Sequence, residues 1–137
     1  MDILDIKQDR AAIDAGDWVD NIPGLPGVRL KVRGTAGDTA ENLRDAKLRA
    51  LGPDAINVDG GVKDEVVERI AREVLHEAIL LDWDGIESGG KPLPYSLEAA
   101  RPLCLDKNFK NFQDKITWAA AKVVRINTGK REALEKN

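Results

Sequence analysis

Residues 62–81 constrain the fold more than any other stretch of the chain. Val62, Val66, Ile70, Val74 and Ala78 recur every four residues, and Val67, Ala71, Leu75 and Ile79 form the adjacent row. On an α-helix the two rows merge into one broad apolar stripe, which has to be covered by another element. Asp64 and Glu65 stand in the first turn, where the helix dipole favours acids. The spacing predicts a long amphipathic helix over 62–81. On that wheel His76 lies roughly opposite the stripe and is expected as a solvated surface side chain.

Other segments supply the cover. "GVRLKVRG" (27–34) alternates strictly, with Val28, Leu30 and Val32 on one side and Arg29, Lys31 and Arg33 on the other. That is the period of a half-buried strand with a basic outer face. "DWVDNIPGLPG" ahead of it offers a partner strand around Trp18 and Val19, connected through Pro23, Gly24, Pro26 and Gly27. The hairpin so predicted, about 17–34, is too small to stand alone and must pack on helices. Asp38 as N-cap with Glu41 three residues on predicts a helix over 38–51, stopped by Gly52-Pro53. Ser96 predicts the cap of a short helix over 96–104 that Pro102 ends or kinks. Residues 109–124 predict a last helix with Phe109, Phe112, Ile116, Ala120 and Val123 as its apolar face. From 127 the periodicity lapses, and a flexible C-terminal tail over 127–137 is expected. The expected fold is a single domain over 1–126, α+β and mainly α-helical: a small N-terminal β-hairpin packed on about four helices.

Composition narrows the class. The 137 residues are 42% hydrophobic and 33% charged, which suits one soluble domain. No apolar run approaches the ~18 residues of a membrane span, and "MDILDIKQDR" lacks the apolar core of a signal peptide, so no membrane partner is expected. The single cysteine, Cys104, leaves no internal disulfide and no thiolate metal cluster, and makes the cytoplasm the default compartment. Charge is uneven: residues 107–137 hold eight Lys/Arg against three acids, a net of +5, while 1–106 hold 13 against 21, a net of −8. An acidic body with a basic tail suits head-to-tail homo-oligomers or an anionic partner; it is equally the pattern of an unevenly charged, solvated surface.

Chemistry finds no foothold. "LLDWDGIESGGKPLPYS" (80–96) has the look of a calcium loop, but a loop starting at Asp82 puts Ile86 at the fifth position, Glu87 at the sixth and Leu93 at the twelfth, where an oxygen ligand, a glycine and a glutamate belong. Residues 82–95 therefore read as a metal-free, turn-rich connection. His76 has no cysteine near it in sequence to share a zinc ion, and no serine stands in a nucleophile-elbow pattern to use it as a base. "GTAG" and "DGG" lack the Gly-Lys-Ser/Thr of a phosphate loop. No catalytic residue, metal or cofactor is assigned, and an enzyme is not expected. The Arg29/Lys31/Arg33 face has no interleaved aromatic and the chain is net acidic, so nucleic acid is not expected either. Trp118 is more informative. With Ile116 at zero and about 100° per residue, it falls beside Asp114, Lys122 and Arg125, away from Phe112 and Val123. Either another element covers it or it is an interface anchor. The candidate partner-binding residues are Trp118, Lys122 and Arg125, Trp83 in the "DWDG" turn, and Arg29, Lys31 and Arg33.

The stretch "ILLDWDGIESGGKPLPYSLEAARPLCLDKNFKNFQDKITWAAAKV" resembles tail assembly chaperones of long-tailed bacteriophages and prophages. The likeness lies in Trp83-Asp84-Gly85, the turn Gly89-Gly90-Lys91-Pro92, the helix start Pro94-Tyr95-Ser96 and the amphipathic segment 109–124; "DWVDNIPGLPGVRLKVRG" is similar to the N-terminal hairpin of such proteins. The resemblance spans about 17–124. It implies a non-enzymatic protein of the bacterial host cytoplasm that binds the tape measure protein, is displaced by the major tail protein and is absent from the mature virion. It also implies, in many members, a longer product made by ribosomal frameshifting, for which Gly129-Lys130 is suitably placed. The alternative is a virion structural protein, a small tail or head–tail joining component that stays in the particle.

Overall fold

In the computed structural model, which describes residues 1–129, the chain is α+β, as its patterning predicts. Three antiparallel strands form one sheet in the order β1 (Asp17–Val19), β2 (Arg29–Val32) and β3 (Leu80–Asp84). The predicted hairpin pairs Trp18 with Lys31 and Val19 with Leu30. Its inner face presents Val19, Leu30, Val32, Leu80 and Trp83, all buried. Five helices accompany the sheet: α1 (Arg10–Ala15), α2 (Asp38–Arg49), α3 (Asp64–Val74), α4 (Leu97–Leu105) and α5 (Lys110–Ile126), of which α5 packs directly on β1 and β2. In α5 the side chains of Ile116, Ala119, Ala120 and Val123 are fully buried. The small residues let α5 approach closely: a Cβ on Gly34, just after β2, would stand 3.0 Å from Val124 Cγ2.

The stripe of 62–81 is helical only through Val74. Leu75–Ile79 form a wider π turn, and the chain passes directly into β3 at Leu80. "ILLDW" is an apolar run that serves a helix or a strand equally. The free edge of β2 decides, because its unpaired backbone groups need a partner. The π turn also re-aims its side chains, since a wheel drawn for a regular α-helix no longer applies. Leu75, His76, Ala78 and Ile79 are all buried. The expectation of a solvated His76 is corrected: the ring is 6% exposed and its Nε2 lies 2.8 Å from the Leu97 carbonyl oxygen. Val67, predicted in the stripe, is instead exposed.

The segment 82–95 is more regular than the turn-rich connection predicted. Asp82–Asp84 belong to β3, and β4 (Glu87–Ser88) pairs with β5 (Lys91–Pro92) across Gly89-Gly90, whose positive φ angles of 60° and 83° suit a two-residue hairpin turn. Ser96 caps α4 as predicted, accepting from the Ala99 N–H at 2.9 Å. Pro102 does not end it, and the helix runs on to Leu105. Pro102 removes only the bond to the Glu98 carbonyl, and both residues are exposed, so water can serve that carbonyl. In the last helix Phe109 is exposed rather than part of the apolar face, because it sits in the 3-10 turn before α5.

Asp38 does not cap α2. Gly37 holds the cap position with no side chain to offer, and Asp14 of α1 takes over, accepting the Thr39 N–H at 2.7 Å. That bond holds the Asp14 carboxyl below the usual carboxylate range. Asp38 and Glu41 instead bind Arg10 at 2.7 and 3.0 Å. Residues 127–129, predicted as the start of the tail, clasp the N-terminal segment. The Asp9 N–H donates to the Asn127 carbonyl and the Gly129 N–H to the Lys7 carbonyl, both at 2.8 Å, with Gln8 bridged to Thr128. The remainder of the expected tail, including Lys130 of the Gly129-Lys130 pair, lies outside the described residues.

Candidate functional site

The structure separates the seven candidate residues into three settings. Arg29 and Lys31 point outward from β2, but the basic face read from one strand is not basic in the sheet. In register, Lys31 lies between Trp18 and Asp82, and Arg29 lies beside Asp84. The Arg29 guanidinium stacks over the Trp18 ring at 4.7 Å and pairs with Asp84 at 3.2 Å. Asp82 and Asp84 thus stand opposite cations, which sequence could not reveal without the β2–β3 register. Trp18, expected only as a strand residue, holds the Arg29 guanidinium over its ring and pairs across the sheet with Lys31.

Arg33 leaves that face altogether. Its Nε donates to the Asp14 carbonyl and its Nη1 to the Ala78 carbonyl, each at 3.0 Å, so it ties α1 to the π turn. Trp83 is corrected as well. It is 5% exposed, its Nε1 donates to the Leu93 carbonyl at 2.7 Å, and its ring meets Tyr95 and Phe112 edge-on at 5.1 and 6.3 Å. It anchors the core, joining β3, the segment before α4, and α5.

Trp118, Lys122 and Arg125 remain together along one face of α5, spaced by four and three residues. Trp118 is half-buried against the rim of the core, with the Lys122 ammonium 5.7 Å from its ring centre. Arg125 is exposed and makes no ion pair among the described residues. An aromatic with a partly open ring, flanked by cations, can bind an apolar side chain and an acid beside it.

A cleft of about 390 Å³ lies between α3 and the start of α5. Ala71 and Leu75 line it from α3, and Gln113 and Thr117 from α5. Arg72, Lys107 and Lys110 stand in it with the acids Glu68 and Asp114. Its signal in the sequence was the second apolar row, Val67–Ala71–Leu75, which the structure leaves partly uncovered.

Among the described residues no group of three or more His, Cys, Asp or Glu side chains is placed to hold a metal, no buried side-chain polar atom lacks a hydrogen-bond partner, and no helix is long and apolar enough to cross a membrane. Cys104 is fully buried, and burial pushes its thiol up to about 12. Compared with known proteins, residues 29–137 match the model of a family described as YdaY prophage protein; the match begins at the first residue of β2 and covers most of the chain. No curated protein and no solved structure matches.

Proposed function

The chain belongs to the YdaY prophage protein family, and from that premise we propose that it is a non-enzymatic, protein-binding factor of phage morphogenesis: a tail assembly chaperone that holds the tape measure protein until the major tail protein replaces it. Prophage origin fits the resemblance of 79–124 to such chaperones. The observation that carries the reading is Trp118, half-buried on α5 with Lys122 over its ring and Arg125 one turn further. This is a ready-made anchor for an apolar, partly acidic helix. The protein would act in the bacterial host cytoplasm and be absent from the finished particle.

The test is co-expression with the tape measure protein of the same prophage. Wild type is expected to co-purify with it, and Trp118→Ala to weaken binding by about thirtyfold, the ~2 kcal/mol typical of an aromatic anchor. A stable wild type with no affinity for any tape measure segment overturns the reading. Mass spectrometry of purified particles addresses the alternative, since a virion component would be found there in stoichiometric amount.

A further inference from the structure

The α3–α5 cleft has two properties that the Trp118 face lacks. Its apolar floor continues outside it: Leu75 is buried, Ala71 is exposed one turn earlier, and Val67 is 48% exposed one turn before that. The eight helical steps from Val67 to Leu75, at ~1.5 Å each, make a strip about 12 Å long, two turns of a partner helix and more than one small molecule needs. Its charge is also unbalanced. Lys110 and Asp114 neutralise each other at 3.1 Å. Arg72 and Lys107 have no ion pair or side-chain hydrogen bond among the described residues, against the one acid Glu68.

We propose that this cleft is a docking groove for an acidic amphipathic helix of a partner protein. The partner's apolar residues at i, i+4 and i+7 would lie along Val67, Ala71 and Leu75, and its carboxylates would meet Arg72 and Lys107. Helix-in-groove binding uses this spacing. The two unpaired cations beside an apolar floor select acidic over basic helices, because a lysine placed there is repelled. The inference rests on the protein-binding reading above and adds a second contact, on a different face from Trp118.

The test is a titration of the isotope-labelled full chain, followed by NMR, with a synthetic amphipathic helix that carries leucines at i, i+4 and i+7 between glutamates. A twin peptide has lysines for the glutamates. Saturable shifts are expected at Val67, Ala71, Leu75, Lys107 and Thr117, with the acidic peptide bound on the order of tenfold tighter than its twin. The double variant Arg72→Glu/Lys107→Glu, its fold checked by circular dichroism, should reverse that preference. Shifts elsewhere, an absence of saturable shifts, or an unchanged preference overturn the groove. Binding of the tape measure protein is measured alongside. If wild type and double variant capture it equally and neither peptide fills the groove, the groove is wrong and the chaperone reading stands. If the acidic peptide fills the groove while no tape measure segment binds, the groove stands and the chaperone reading falls.

Discussion

Trp83→Ala separates a core indole from an interface anchor. Removing a large aromatic from a packed core costs about 3–5 kcal/mol. Trp83 belongs at the upper end, because its removal also ends two edge-on ring contacts and leaves the Leu93 carbonyl without its donor. A chain of this size has a total stability of about 7–20 kcal/mol at ~0.05–0.15 kcal/mol per residue, so the variant should survive only at reduced denaturant. With a urea slope of about 2 kcal/mol/M, a loss near 5 kcal/mol moves the midpoint down by about 2.5 M. Far-UV circular dichroism is the right probe, since Trp18 and Trp118 also contribute fluorescence. Trp83→Phe should recover most of the loss, keeping a ring against Tyr95 and Phe112 and giving up the hydrogen bond, a deficit of about 0.5–1.5 kcal/mol. A loss below about 1.5 kcal/mol for Trp83→Ala, or a Phe variant as unstable as the Ala variant, would refute the argument. Unchanged stability with lost partner binding would return Trp83 to the role the sequence suggested.

Asp14→Ala removes the cap of α2 and should cost about 1 kcal/mol at neutral pH. Because the folded carboxyl lies below its ordinary range, its contribution is fully present above pH ~4 and is lost as pH falls through the depressed value, so wild type and variant should converge in acid melts. Cys104 should resist iodoacetamide at pH 8 in the native protein and react promptly in denaturant; rapid native alkylation would contradict the burial of its thiol. Arg33→Ala should lower stability by about 2 kcal/mol in thermal or urea melts, through two lost charged hydrogen bonds, while leaving partner binding by the folded protein unchanged.

The parts of the fold that were legible had a strong local period. β2 was read from its alternation, α3 from its stripe and α4 from its serine cap. What stayed hidden depended on a partner distant in sequence. Leu80–Asp84 became a strand because β2 had an open edge, and that one change moved both His76 and Trp83 from their expected places into the core. The basic strand lost its character when Asp82 and Asp84 arrived opposite it. Asp38 was the better-looking cap on local grounds, yet Asp14 reached Thr39 from another helix. The short α1, six residues with a cap bond from the Asp9 carboxylate, carries too few apolar positions to register as a period. Of the candidate site, the Trp118–Lys122–Arg125 face was readable because one α-helix presents it; the cleft joins two helices far apart in the chain and was not.

The clasp of residues 7–9 with 127–129 joins two segments that lie far apart in the chain. Its two hydrogen bonds span almost the full described length, so they enclose the largest loop available and carry the greatest entropy of closure. It also ties the segment ahead of α1 to the segment that follows α5. Residues 1–28, outside the family match, are thus fastened to the last helix of the matched region.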